Sequence, residues 1–185
     1  MKNTKRLFIA VKPPENVVES LKRIIGFYKK ESWGKDVRWV KSDNLHLTLK
    51  FIGQIEKNRI RDILSAVETS LKGLSSFHLE SEGLKIFPKP SKPHIISVGV
   101  AEQPELIHLA AAIEDGLQKC GIQKERKPFK GHITIGRCKK SFPKCRKIET
   151  FSGSFRFSVN EVILYSSVLK PEGTEYRLEK KIRFA

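Results

Sequence analysis

The segments His46-Leu47-Thr48-Leu49 and His132-Ile133-Thr134-Ile135 repeat one pattern of histidine, apolar, threonine, apolar, at a separation of 86 positions. In a chain of this composition roughly 0.02 such segments are expected by chance, so a pair arises in roughly one shuffled sequence in several thousand. Strict alternation of apolar and polar residues reads as a half-buried β-strand, because successive side chains leave a strand on opposite faces. His46 and Thr48 then share one face while Leu47 and Leu49 anchor the other. The same holds for His132 and Thr134 over Ile133 and Ile135, so each strand offers an imidazole beside a hydroxyl.

Around the motifs three stretches carry helical periodicity. They are Val17, Val18, Leu21, Ile24, Ile25 and Tyr28 after Pro14; Ile60, Ile63, Leu64, Val67 and Leu71; and Leu106, Leu109, Ile113 and Leu117 between Pro104 and Gly121. Strand patterns cover 7–11, 37–40, 46–52, 77–83, 95–100, 132–137, 155–159, 161–167 and 176–184, with Lys170-Pro171-Glu172-Gly173 turning the last two into a hairpin. Each motif lies about midway through its half of the chain, in a strand that follows a helix. This implies duplication into two similar lobes, with the Pro-rich stretch Pro88–Pro93 as the crossing point.

Two histidines, each with a hydroxyl at its side, suit acid–base chemistry at a phosphodiester. Opening a cyclic phosphate needs a neutral imidazole to take a proton from water and an imidazolium to protonate the departing ribose oxygen. It also needs donors for the non-bridging oxygens. An unperturbed pKa near 6.5 lets both forms of histidine exist near neutrality. The other three histidines lack this setting. His78 lies on the polar side of its strand and His108 off the apolar face of its helix, so both read as surface; His94, after the Pro-rich stretch, is the one the chain could bring near a cleft.

The chain resembles the two-histidine (2H) phosphoesterases, and within them the prokaryotic RNA 2′,3′-cyclic phosphodiesterases, also called 2′-5′ RNA ligase-like or LigT-like proteins. The resemblance runs over Arg6–Ala10, Asn44–Gly53, Phe129–Arg137 and Ser167–Leu169 with Pro171, Gly173 and Tyr176. It implies an α+β fold for residues 1–185: a single two-lobed domain with pseudo-twofold symmetry, antiparallel sheets lining a central cleft, and helices packed outside. It also implies that His46 protonates the leaving oxygen and that His132 activates water, with Thr48, Thr134 and Arg137 on the phosphate. Strict alternation would set Arg137 on the face opposite His132, so that role requires a bulge or strand end near Gly136.

Composition agrees with a polyanionic partner. The formal charge is +16, and residues 119–147 hold eleven Lys and Arg against the single acid Glu125. Such a field attracts the phosphates that flank a reacting one and makes binding fall with salt. Cys120, Cys138 and Cys145 form no disulfide framework, and a zinc site from His132, Cys138 and Cys145 matches no common ligand spacing. No metal and no cofactor are expected. The apolar run Leu7–Val11 is too short for a signal segment or a membrane span, so the expected location is the reduced cytoplasm. The expected partner is RNA with 2′,3′-cyclic phosphate ends, tRNA fragments among the candidates, with no membrane and no obligatory protein partner. Two other readings stand beside hydrolysis: ATP-independent 2′-5′ joining of a cyclic end to a 5′-hydroxyl, and a basic RNA-binding protein without chemistry.

Overall fold

Leu7–Val11, an unbroken apolar run, is buried throughout because it lies in the middle of the sheet and is covered on both faces. The computed structural model describes residues 3–89, 92–143, 154–171 and 173–184. In chain order the elements are β1 (Thr4–Val11), α1 (Glu15–Lys29), β2 (Val37–Trp39), β3 (Leu47–Glu56), α2 (Ile60–Ser70), β4 (Phe77–Lys89), β5 (Lys92–Val100), α3 (Pro104–Lys119), β6 (His132–Cys138), β7 (Arg156–Val159), β8 (Glu161–Lys170) and β9 (Gly173–Arg183).

The helices form where the periodicity places them. All six apolar positions of the α1 stripe are buried, as are Leu106, Leu109, Ile113 and Leu117 of α3. Pro104 opens α3 in its first turn, where a missing N–H costs nothing, and Gly121 follows its end at φ 77°. The α2 stripe is narrower than expected. Ile63, Val67 and Leu71 are buried, whereas Ile60 and Leu64 are only half covered at the rim. One apolar cluster joins the three helices to a single face of the sheet, leaving the other face for the motif side chains.

Every ladder is antiparallel, and the strands follow one curled path, β7-β4-β5-β6-β3-β1-β8-β9, with β2 added to β6. The path divides between β6 and β3 into two halves of four strands. Each half borrows from the other part of the chain: β4 leaves the first motif region to pair with β5, and β8 returns to pair with β1. This exchange corrects the expectation of a single crossing at the Pro-rich stretch. Pro88 pairs with Pro93 and Lys89 with Lys92, so that stretch closes the β4–β5 hairpin, its residues 90 and 91 lying outside the described ones. The first motif strand also begins one residue later than the pattern suggested, at Leu47, and runs on to Glu56.

Candidate active site

Leu47 and Ile133 form the one register pair that joins β3 to β6. Each is the residue after a motif histidine, and each is fully buried. An antiparallel register continued from that pair makes His46 the neighbour of Thr134 and Thr48 the neighbour of His132. The four polar side chains share the face opposite the buried pair, and all four are half-buried. A local two-fold axis therefore runs between the motifs, relating positions 86 apart.

Several details obey the same two-fold. Nδ1 of His46 lies 2.7 Å from the Asn44 carbonyl and Nδ1 of His132 lies 2.8 Å from the Lys130 carbonyl. A carbonyl only accepts, so in each ring Nδ1 carries the proton and donates it. Each neutral imidazole is thereby left with an unprotonated Nε2 for chemistry. Asn44 is itself held, its amide donating to the Thr174 carbonyl at 2.8 Å and tying the first motif to the start of β9. Among the described residues the hydroxyls of Thr48 and Thr134 have no partner.

Both motif strands slip at the same place. Between Ala10↔Thr48 and Ile9↔Lys50 the extra residue is Leu49; between Ser97↔Thr134 and Ile96↔Gly136 it is Ile135. A bulge sets two successive residues on one side and reverses the alternation beyond. Leu49 and Lys50 consequently both turn inward, which is how a lysine comes to be 3% exposed in β3. Its Nζ donates to the Gln123 carbonyl at 2.7 Å and pairs with Glu114 at 2.9 Å and Glu125 at 3.7 Å. Past the bulges Phe51 in β3 and Arg137 in β6, each five positions after its histidine, come onto the motif face. The displacement that a role for Arg137 required is present.

Aromatic rings pack around His46. Its ring centroid lies 5.0 Å from Phe8 and 5.1 Å from Tyr176, the latter edge-on, and Phe8 stacks on Tyr165 at 5.3 Å. Phe87 of β4 lies 5.2 Å from His132. Burial pushes the His46 pKa below its ordinary value; the bond to Asn44 opposes this, and the nearby charges of Arg137 and His132 push it lower again. Arg137 and His132 are thus both near enough to act on the His46 ring electrostatically.

Of the other histidines, His78, His94 and His108 are all exposed, and His94 directly precedes Ile95, the β5 residue in register with Arg137. Among the described residues no group of three His, Cys, Asp or Glu is placed to hold a metal, and Cys145 lies outside them. Sequence reasoning missed Lys50, whose burial depends on a bulge, and the supporting carbonyls of Asn44 and Lys130. The −2 spacing shared by these two was the available signal. It missed Arg38 as well, which the β2–β6 register sets directly opposite Arg137.

The LigT like Phosphoesterase family model matches this chain twice in succession, over residues 11–97 and 98–176. The chain belongs to this family. Among its relatives is the RNA 2′,3′-cyclic phosphodiesterase of Archaeoglobus fulgidus, 33% identical over 177 residues that cover 93% of this chain and 96% of that one. The enzyme of the same name from Thermotoga maritima is 30% identical over 97% of this chain and 95% of its own length. Among solved structures, a Thermus thermophilus protein superposes with a TM-score of 0.84 at 26% identity, covering 97% of each chain. Escherichia coli LigT in its apo form gives a TM-score of 0.81 at 24% identity over 100% of this chain and 99% of its own, a likeness of fold.

Proposed function

We propose that this chain hydrolyses 2′,3′-cyclic phosphate ends of RNA to 2′-phosphomonoesters, with His46 and His132 as the acid–base pair. The observation that carries the reading is the two-fold meeting of the His-x-Thr segments, each imidazole fixed through Nδ1 by the carbonyl two residues before it. In the reaction Nε2 of His132 takes a proton from water as its oxygen attacks phosphorus. The bond from phosphorus to O3′ breaks, and O3′ takes a proton from Nε2 of His46. Exchange with solvent resets both rings. Thr48 and Thr134 donate their hydroxyls to the non-bridging oxygens, and the Arg137 guanidinium balances the charge that builds there. The assignment of acid to His46 and base to His132 comes from the family likeness.

Both proton transfers fall to imidazoles, so the step requires no metal. The relatives named RNA 2′,3′-cyclic phosphodiesterase support the substrate class, and the surplus of Lys and Arg around β6 supports a polyanion. Cys120 and Cys138 are free, in keeping with a reduced cytoplasm, and no described helix is long and apolar enough to cross a membrane. The decisive experiment incubates an oligonucleotide ending in a 2′,3′-cyclic phosphate with the purified protein in EDTA. Products are compared with authentic 2′- and 3′-phosphates. The expected product is the 2′-phosphate, formed undiminished by the chelator; activity lost to EDTA and restored by a divalent ion rejects the mechanism. A 5′-hydroxyl acceptor in the same assay reveals 2′-5′ joining, in which that hydroxyl takes the place of water in the attack on phosphorus and O3′ leaves as before.

A further inference from the structure

β2 is three residues long, yet it is held firmly on the edge of β6. Val37 is buried, the Trp39 indole donates to the Gly34 carbonyl at 2.9 Å, and the Val40 amide donates to Ile135 at 2.9 Å. A Cβ on Gly136 would stand 2.5 Å from Val37 Cγ1, so only glycine lets β2 approach this closely. The middle residue thus presented is Arg38, in register with Arg137.

Directly opposed residues of an antiparallel pair project from the same face with Cβ atoms about 5 Å apart, and like charges there repel. Both arginines are exposed, and among the described residues neither has an acidic partner. The nearest acid in the chain, Asp36, accepts from the Ser141 hydroxyl at 2.7 Å. An uncompensated pair of this kind, on a strand held rigid, is a built anion site.

Its position decides which anion. A strand rises about 3.3 Å per residue, so with one residue taken up by the bulge the Arg38–Arg137 pair lies about 7 Å along β6 from the His46–Thr134 neighbours. The charge of Arg137 acts on His46, and Arg38 stands beside Arg137 on the edge of β6 that β3 also occupies, beyond the end of the motif pair. A cyclic phosphate terminates its strand, so the nearest further phosphate an RNA brings lies on the 5′ side of the same nucleotide.

We propose that Arg38 binds the phosphate on the 5′ oxygen of the terminal nucleotide, so that the site reads a nucleotide phosphorylated at both ends rather than a bare cyclic nucleoside phosphate. This rests on the hydrolysis proposed above. The test measures kcat/KM for adenosine 2′,3′-cyclic phosphate with and without a 5′-phosphate, in wild type and in Arg38→Gln and Arg38→Lys. In wild type the 5′-phosphate should raise kcat/KM. Arg38→Gln should cut that preference about tenfold, the size of one charge-assisted contact, and Arg38→Lys should restore part of it. The salt dependence of the 5′-phosphorylated substrate should weaken in Arg38→Gln. A preference that survives Arg38→Gln overturns the proposal, whether the two substrates lose rate equally or not at all. Failure of wild type to open either substrate would instead reject the hydrolysis itself, so the two failures are distinct.

Discussion

The geometry at His46 and His132 makes each ring a preset proton carrier, its tautomer chosen by a backbone carbonyl before any substrate arrives. If one ring is the acid and the other the base, His46→Ala and His132→Ala should each lower turnover about 10²–10⁴-fold. The double variant should be far less impaired than the product of the two losses, because the pair works as a unit. Near-normal turnover in either single variant, with the fold intact by circular dichroism, would remove that residue from catalysis. The lowered pKa of His46 gives a second test. In the free protein, burial and the charge of Arg137 disfavour its imidazolium, while a phosphate anion between the rings acts in the opposite sense. The alkaline limb that reports the acid should therefore fall below the ordinary imidazole range in kcat/KM and move upward in kcat, since the first profile reports the free enzyme and the second the complex. Coincident limbs in the two profiles would show that substrate charge does not restore the proton.

Strands and loops carry the site through two matched bulges and one buried lysine. Lys50 joins β3 to α3 through Glu114 and to the segment leading into His132 through Gln123 and Glu125, so it couples one motif to the approach of the other. Lys50→Met leaves a shielded carboxylate and a carbonyl without their donor, which should cost about 1–3 kcal/mol in urea unfolding. Amide exchange should rise across residues 121–131 in that variant, and unchanged exchange there would confine the role of Lys50 to α3. Gly136→Val places a side chain against Val37 and Trp39, with contacts of 2.5 and 3.2 Å already at Cβ. The expected cost is about 1–3 kcal/mol from overpacking. It should come with loss of the β2 edge, seen as a shift of the Trp39 fluorescence on the same denaturation curve.

Over the whole molecule the two-fold divides labour, and charge breaks the symmetry. Phe51 and Arg137 occupy equivalent places, so one lobe turns an aromatic ring toward the open face where the other turns a guanidinium. The basic surplus likewise gathers on the second half, around β6. If these side chains meet flanking phosphates, charge reversal there should weaken binding of longer RNA more than turnover of a cyclic mononucleotide. Lys139 and Lys140 differ as sites for the test. Lys139 donates its Nζ to the Lys35 carbonyl at 2.7 Å and its amide to Asp36, so reversing it also disturbs the approach to β2. Lys140 is exposed and has no such tie among the described residues. Lys140→Glu should lower affinity for an oligonucleotide and reduce the slope of log K against log salt by about 1. Equal losses on oligonucleotide and mononucleotide would place Lys140 in the reacting site instead.

Much of this was legible in residue order alone. Alternation told which face His46, Thr48, His132 and Thr134 take, and the stripes of α1 and α3 named their buried positions, because pleat and helical pitch are local properties that each segment carries with it. The same reasoning failed at α2, whose outer positions are covered only in part, and at the Pro-rich stretch, where two prolines that looked like a linker close a hairpin. It also left Arg137 on the wrong face and Lys50 unremarked. Both errors have one cause: a bulge exists only between two strands, and the partners β1 and β5 are supplied by tertiary pairing. The exchange of β4 and β8 between the halves, and the meeting of Arg38 with Arg137 from positions 99 apart, are decided in the same way. Periodicity within a segment sets the direction of a side chain, but the neighbour it meets depends on register across the sheet. That register is fixed by the burial of Leu47 against Ile133 and by the clearance at Gly136.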